Sequence, residues 1–192
     1  GLLTAIKIHE KHRQYNEMRI SKGRIPIRTG MGLHTGPLIM GITGDDRRMD
    51  AAIISDTVNT ASRIESLSKH YFSNILLSEA SIKGLKNPEK FNFRFLGKVQ
   101  VKGKHNILKI FECFDGDHPD VAALKKETVN TFNEGMELYY RKQFSKSVEI
   151  FKDILFKNPE DDIAKMFLHK IENLISMSVP DDWDGIEVMV SK

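Results

Sequence analysis

Residues 51–66 read AAIISDTVNTASRIES, an apolar run followed by an amphipathic segment. The apolar run predicts a short buried strand, and Asp56 can cap a helix that starts there and continues to about Lys69. Within that helix Asn59 and Arg63 are four residues apart and therefore share one face. The stretch thus predicts a strand leading directly into a capped helix that carries a polar pair.

Two interpretations of this pair are open from the residues alone. In one, Asn59 and Arg63 belong to a solvated stripe, where Arg63 pairs with Glu65 or Asp56. In the other, the carboxamide and the guanidinium face an anion together. A guanidinium offers rigid donors that match phosphate oxygens, and an amide can orient a hydroxyl group or a water without carrying charge.

Strand and helix patterns continue on both sides of this stretch. Upstream, a helix over residues 1 to about 20 ends at Gly23 and Pro26, and two strands, 25–33 and 37–42, form a hairpin at HTGP. Downstream we expect the strand SNILLSE, a helical turn around 79–85, and the strands FNFRFLGKVQVKG and NILKIFECF. Strands and helices in this order predict an α+β fold with one sheet.

The character of the chain changes after residue 115, so we predict three parts: 1–115, 116–177 and 178–192. The middle part reads as helices, with Gly135 and Phe151 at the offsets of a tetratricopeptide repeat. The match is partial, and a lone repeat must pack on the preceding domain or on a protein partner. We expect the last part, which contains the only Trp, to be a docked extended segment.

Composition excludes several classes of protein. The 192 residues are 40% hydrophobic and 29% charged, with a net charge of +3, which is too balanced to indicate a nucleic-acid partner. The single cysteine, Cys113, excludes an internal disulfide framework and favours a reducing, cytoplasmic location.

The first residues resemble the middle of a helix. We therefore expect a piece of a longer protein, whose upstream segments could provide a membrane anchor.

Other short motifs carry no functional assignment. GMGLHTG (30–36) has its glycines inside a strand pattern, unlike a dinucleotide-binding turn, and GITGDDRR lacks the Gly-Lys-Ser/Thr of a P-loop. The histidines of HEKH (9–12) do not have the spacing of a zinc-binding HExxH helix. His34 is expected to be a hydrogen-bonded structural residue.

The segment IRTGMGLHTGPLIMGITGDDRRMDAAIISDTVNTASRIES resembles the second half of a class III nucleotidyl cyclase catalytic domain. The strand–HTG–strand order, the RRMD lead-in, the DTVN-x-A-x-R-x-E helix and the later VQVKGKHNILKIFE match in sequence order. The resemblance covers residues 1–115. It implies a ferredoxin-like α+β catalytic domain without its N-terminal part, followed by a small helical hairpin extension.

The resemblance also implies roles for individual residues. Asn59 falls on the asparagine that orients the ribose, and Arg63 on the arginine that stabilises charge developing on the α-phosphate. Lys102 falls on the lysine that binds the terminal phosphates. Arg28 lies two residues before a phosphate-binding arginine of some members, on the same strand face. These roles describe the binding of a nucleoside triphosphate.

Recognition of the base is where the sequence departs from the family. Ala52 occupies the position that often reads the base and has no hydrogen-bonding side chain. Base selection would then rest on the backbone near Ile53 or on another side chain. We expect ATP as substrate, with GTP as the alternative.

Metal binding is the second departure. Family members bind two Mg²⁺ or Mn²⁺ ions through aspartates of the first half of the domain, and no residue of this chain fits those motifs. Family active sites lie between two catalytic domains, so the resemblance implies a homodimer. The expected function is adenylate cyclase in cyclic-nucleotide signalling, and we expect the isolated chain to be inactive. A guanylate cyclase and a silent, cyclase-like regulatory module are the alternatives.

Overall fold

The structure is a computed structural model that describes residues 1–45, 48–101 and 106–189. Its helices, in chain order, are α1 (Leu2–Ser21), α2 (Asp56–Ser66), α3 (Glu79–Lys83), α4 (Pro119–Tyr140), α5 (Phe144–Lys157) and α6 (Asp162–Met177). Its strands are β1 (Met31–Leu33), β2 (Ile39–Asp45), β3 (Arg48–Ile54), β4 (Ile75–Ser78), β5 (Phe93–Val101), β6 (Ile107–Cys113) and β7 (Ile186–Met189). Within these ranges no helix is both long and apolar enough to cross a bilayer.

Five of the strands form one mixed sheet in the order β1-β4-β6-β5-β7. β1 and β4 are parallel, with Met31 opposite Ile75, and α2 makes the crossover between them. The pairs β4–β6 and β5–β6 are antiparallel, while β7 is parallel to β5. This mixed sheet with helices confirms the predicted α+β class.

The predicted hairpin at HTGP is wrong, because β1 pairs with β4 and β2 pairs with β3. β1 is also much shorter than the predicted strand 25–33. The side chain of Asn16 accounts for part of this difference: its amide donates to the Ile27 carbonyl at 2.7 Å, and its oxygen accepts from the Ile27 amide at 2.8 Å. The backbone of Ile27 is therefore bound to α1 and not to a neighbouring strand.

The apolar run 51–54 was predicted to be a buried strand, but its Ile53 side chain is 51% exposed. It belongs to β3, which forms a separate two-stranded ribbon with β2, with Ile39 opposite Ile54. Several large side chains of this ribbon are exposed, among them Ile39, Met40, Ile42 and Ile53. The ribbon is therefore an apolar surface outside the main sheet.

Different helices pack on the two faces of the five-stranded sheet. On one face α1 places Leu2 and Ile6 against Ile75, Leu77 and Cys113. On the other face α2 and the helices α4–α6 form a single hydrophobic cluster with the sheet. Its members include Ile64, Leu76, Leu96, Ile110, Phe132, Phe151 and Phe167. The helices after residue 115 thus share one core with the sheet.

Close packing of α4 against α5 explains the residues that resemble a tetratricopeptide repeat. A Cβ atom on Gly135 would lie 3.0 Å from Ile150 and 3.1 Å from the Phe151 ring. The Ser147 hydroxyl donates to the Gly135 carbonyl at 2.8 Å, so a polar residue is satisfied at a position where alanine is usual. Membership of that repeat family stays a prediction.

Buried charges join the sheet to the helices that follow it. The fully buried guanidinium of Arg94 donates to Glu112 and, at 2.5 and 3.2 Å, to both oxygens of Asp161. Lys125 extends this network of ion pairs: its ammonium nitrogen lies 3.1 Å from a carboxylate oxygen of Glu112 and 2.8 Å from one of Asp117. Burial would raise the pKa of Asp161, but the Arg94 guanidinium outweighs burial and holds that pKa below its ordinary value.

The C-terminal tail is part of the sheet. Trp183 lies edge-on to Tyr139, at 5.1 Å between ring centroids, and to Phe144, at 5.3 Å. Three residues further on the chain enters β7, which pairs with β5 from Lys98 to Val101. Because Trp183 is the only tryptophan, its fluorescence reports on the docking of the tail.

Glu187 in β7 should make the tail sensitive to acid. Burial raises its pKa, but His70 and Lys170 outweigh burial and lower the pKa from 4.5 to about 2. A carboxylate with a lowered pKa stabilises the fold above its unfolded value and loses that contribution as the pH falls from 4.5 towards 2. Since one pKa unit corresponds to about 1.4 kcal/mol, the contribution is at most about 3 kcal/mol.

We therefore expect Glu187→Gln to unfold at lower urea concentration than wild type at pH 7, as followed by Trp183 fluorescence. The difference in the free energy of unfolding between the two proteins should shrink below pH 4.5 and be much smaller at pH 3, where the wild-type side chain has lost most of its advantage. A difference that stays constant between pH 7 and pH 3 would show that the charge of Glu187 does not stabilise the tail.

Candidate active site

The start of α2 is fixed by a serine. The Ser55 hydroxyl accepts from the Thr57 amide at 2.9 Å and donates to the Pro37 carbonyl at 2.8 Å. The N-cap is therefore Ser55 and not Asp56, which lies in the first turn. A serine oxygen satisfies one of the free amides of a helix start, and the carboxylate of Asp56 is still favourably placed near the positive end of the helix dipole.

The HTG turn packs directly against this helix start. The Thr57 hydroxyl also donates to the Pro37 carbonyl, at 2.6 Å, and a Cβ atom on Gly36 would lie only 2.6 Å from the Thr57 oxygen. His34 Nδ1 is 2.7 Å from the Ser78 hydroxyl, so this histidine is hydrogen-bonded, as predicted. The glycine of HTG is thus required by the close approach of the turn to α2.

Asn59 and Arg63 lie on the side of α2 that faces away from the core. Thr60 and Ile64 are the buried residues of the helix, whereas Asn59 is exposed and Arg63 is half-buried. The backbone confirms that the pair shares one helical face, one turn apart. A guanidinium and a carboxamide on an outward face can bind an anionic ligand that lies against the surface of this chain.

A cleft of about 320 Å³ opens beside the first turn of α2. Its lining includes His34, Gly36, Asp56, Thr57, Thr60 and Asn106. Thr57, Thr60 and Asn106 were not predicted as site residues. Asn106 could have been found, because it ends the VKGKHN segment that contains Lys102.

Ala52, at the family's base-reading position, and its neighbour Ile53 lie at the end of the apolar ribbon. Ile53 is about half exposed, and Ala52 lies opposite Gly41 in the register of β2 and β3. β3 ends at Ile54, two residues before α2 begins, so the backbone near Ile53 is close in sequence to the helix start. Lys102 lies outside the described residues.

Arg28 is not brought together with this cleft. It lines a different one, of about 210 Å³, together with Ser68, Lys69 and Phe72 after the far end of α2. An eleven-residue helix is about 16 Å long, and that length separates the two ends. The structure therefore places Arg28 apart from Asp56 and Thr57.

No set of metal ligands is present in the parts of the chain that the structure describes. Within them no group of three or more His, Cys, Asp or Glu side chains could hold a metal ion. The donor set at the cleft contains a single carboxylate, Asp56. These residues do not fit a pair of divalent ions, so no chemical step is assigned to a metal held by them.

Comparison with known proteins gives the family of the chain. Residues 3–112 match the family model described as the adenylate and guanylate cyclase catalytic domain. A terminal-differentiation-specific adenylate cyclase of Dictyostelium discoideum is 31% identical over 155 residues, which are 80% of this chain and 7% of that protein. This match is longer than the family match, so the likeness continues into the helices after β6.

Two further relatives match shorter stretches of the chain. An adenylate cyclase of Anabaena cylindrica is 41% identical over 105 residues, which are 54% of this chain and 21% of that protein. The guanylate cyclase soluble subunit beta-2 of Rattus norvegicus is 38% identical over 86 residues, which are 45% of this chain and 12% of that protein. This chain thus spans a small part of each of these relatives.

Proposed function

The chain belongs to the class III nucleotidyl cyclase catalytic domains, the family of adenylate and guanylate cyclases, and we propose from this premise that its protein converts ATP to 3′,5′-cyclic AMP and pyrophosphate. The observation that carries the proposal is the outward face of α2, where Asn59 and Arg63 lie one turn apart within the family's helix motif. Adenylate cyclases of two organisms are among the relatives of this chain.

In the proposed reaction the ribose 3′-hydroxyl gives its proton to water, and its oxygen attacks the α-phosphorus in line. A bond from that oxygen to the α-phosphorus forms, the bond from the α-phosphorus to the bridging oxygen breaks, and pyrophosphate leaves with the electron pair. The guanidinium of Arg63 stabilises the charge that develops on the α-phosphate oxygens. Asn59 orients the ribose through its amide, and Lys102 binds the terminal phosphates.

A second protein surface is needed opposite α2. Asn59 is exposed, so a nucleotide bound there alone would be open to water, in which electrostatic stabilisation is weak. The ribbon of β2 and β3 supports a homodimer as the source of that surface. Its exposed apolar side chains, of which Ile42 is 76% and Ile39 72% exposed, form the kind of patch that marks an interaction site.

The proposed homodimer also concerns the metal side of the site. We assign metal ligands to none of the residues in the described ranges, and we expect the two Mg²⁺ or Mn²⁺ ions of the family to be bound by other parts of the protein. Each catalytic domain would then contribute its Asn59 and Arg63 to a site whose metal side belongs to the other.

The choice of ATP over GTP rests on the relatives and not on a base-reading side chain. Ala52 can form no side-chain hydrogen bond to the base, and Ile53 offers only its backbone. A hydrogen-bonding pocket discriminates strongly between bases, and an apolar one does so weakly. A guanylate cyclase is therefore the second candidate, supported by the relative of that name.

The test of this proposal is the identity of the product. The full-length protein, given ATP and GTP separately with Mg²⁺ or Mn²⁺, should form cyclic AMP in preference to cyclic GMP. Asn59→Ala should lower turnover about 10²-fold, because it removes a group that positions the reacting ribose. Asn173→Ala, which changes an exposed asparagine of α6, is the matched control and should leave turnover unchanged.

Each alternative gives a different result in the same assay. Cyclic GMP as the main product would replace the adenylate assignment with the guanylate one. No product from either nucleotide, with both metals tried, would favour a silent regulatory module. Activity that survives Asn59→Ala unchanged would remove Asn59 from the site.

A further inference from the structure

The C-terminal tail reaches the sheet through a turn that only glycine can form. Gly185 has φ of +73°, and a Cβ atom there would lie 2.7 Å from the Tyr140 ring. The turn places β7 along β5 and directs Glu187 towards α6 and the segment after α2. The chain therefore enters β7 only with a glycine at position 185 in this backbone conformation.

Glu187 joins three elements that are distant in sequence. One carboxylate oxygen accepts from the ammonium of Lys170 on α6, and the other is 3.1 Å from Nε2 of His70. The Glu187 side chain is 25% exposed, so water screens these contacts only in part. A partly buried carboxylate that is bound by an ammonium and an imidazole is held more firmly than an exposed surface pair.

The residue bound by Glu187 belongs to the turn that continues α2. The Ser68 amide donates to the Glu65 carbonyl at 2.8 Å, and the Tyr71 amide donates to the Leu67 carbonyl at 2.9 Å. Tyr71 is fully buried, and its ring meets the His70 ring edge-on at 4.8 Å between centroids. The segment from Glu65 to Tyr71 therefore connects Glu187 to the helix by short, hydrogen-bonded steps.

The other end of α2 is bound separately. Ser55 and Thr57 both donate to the Pro37 carbonyl. The helix is thus fastened at its start by the HTG turn and at its far end through His70. Arg63 lies between these two attachments, closer to the far end.

We propose that Glu187 is a positioning residue of the active site: through His70 it fixes the far end of α2 and thereby the placement of Arg63. The inference rests on the proposed function, since it assigns Arg63 to the reacting phosphate. It gives the tail a role in turnover. The alternative is that β7 only covers the open edge of β5, as many proteins cover edge strands.

Steady-state kinetics distinguish a positioning role of Glu187 from a role in which β7 only covers the edge of β5. In the full-length protein Glu187→Gln should lower kcat about tenfold, because a small misplacement of a group that acts in the transition state lowers the rate of the chemical step. KM for ATP should change less than about twofold, since ground-state contacts are retained. Glu187→Asp should restore part of kcat, and Glu172→Gln, at an exposed position on α6, is the matched control.

Hydrogen exchange of backbone amides tests the contact without using activity. In the 192-residue chain, Glu187→Gln should speed exchange in residues 62–71, whereas Glu172→Gln should not. Unchanged exchange there, or unchanged kcat in a folded Glu187→Gln protein, would overturn the proposal. If the wild-type protein made no cyclic nucleotide, the proposed function would fail, and faster exchange would still support the attachment of α2 by Glu187.

Discussion

Replacing Arg63 by alanine is expected to lower turnover of the full-length protein by about 10³-fold. Removing one donor that stabilises developing charge typically costs about 10²–10³ in kcat, and arginines that serve phosphoryl transfer reach the upper end of such losses. The loss should fall mainly on kcat, because the charge on the α-phosphate grows in the transition state. Product formation from ATP at saturating concentration measures it.

The position of Arg63 supports an effect of this size. Its neighbour Ile64 is fully buried, so contacts with the core help to hold this part of the helix in place. Arg63 itself is half-buried, which restricts the side chain before any ligand binds. A side chain already restricted loses less entropy on binding.

Two further variants make the result specific. Arg63→Lys keeps the charge but loses the planar pair of donors, so we expect it to restore only part of the activity. Arg141→Ala removes an exposed arginine, paired with Glu137 at 3.3 Å, and should leave turnover within about twofold of wild type. Arg63→Ala with turnover close to wild type would remove Arg63 from the chemistry.

Local features of this site were predictable from the sequence because they depend on neighbouring residues. The pattern of residues 51–66 predicted a strand followed by a helix, and the four-residue step predicted the shared face of Asn59 and Arg63. The choice of Ser55 as N-cap was missed, because either residue of a Ser-Asp pair can cap a helix. Only the geometry shows that the Ser55 hydroxyl also reaches the Pro37 carbonyl.

Pairing between distant segments was not predictable in the same way. HTGP carries the turn residues of a hairpin, yet β1 pairs with β4, more than 40 residues later in the register. A parallel pair joined by a helix leaves no turn signature between its strands. The burial of charged residues was not predictable for a similar reason. Arg94 lies in an alternating strand pattern, where a charged residue normally faces water.

The packing of the helices after residue 115 on the sheet depends on such contacts between distant segments. The pattern of Gly135 and Phe151 indicated a lone repeat that packs on the preceding domain or on a protein partner, and the packing places Phe132, Phe151 and Phe167 in one cluster with Leu96 of the sheet. The guanidinium of Arg94 also lies 4.2 Å from the centre of the Phe132 ring. The sheet and the helices should therefore unfold together, with Arg94 as a main point of attachment.

Arg94→Met is accordingly expected to lower the free energy of unfolding by about 4 kcal/mol. Methionine fills much of the volume of arginine, but it leaves Glu112 and Asp161 buried, with Lys125 as their remaining cation nearby. Removing one partner of a buried ion pair typically costs about 3–5 kcal/mol, because the charge left behind has no compensation. Urea unfolding followed by Trp183 fluorescence and by circular dichroism measures the loss in a single shared transition.

A second substitution distinguishes an unpaired buried charge from lost packing as the cause of the lower stability of Arg94→Met. Adding Asp161→Asn to Arg94→Met should recover part of the stability, since it removes an unpaired buried charge while asparagine can still cap α6 by accepting from the Ala164 amide. Arg141→Met, at a position 67% exposed, should change stability by less than about 0.5 kcal/mol. If the double variant were no more stable than Arg94→Met, packing and not charge would explain the effect. Two separate transitions in wild type would show that sheet and helices are independent domains.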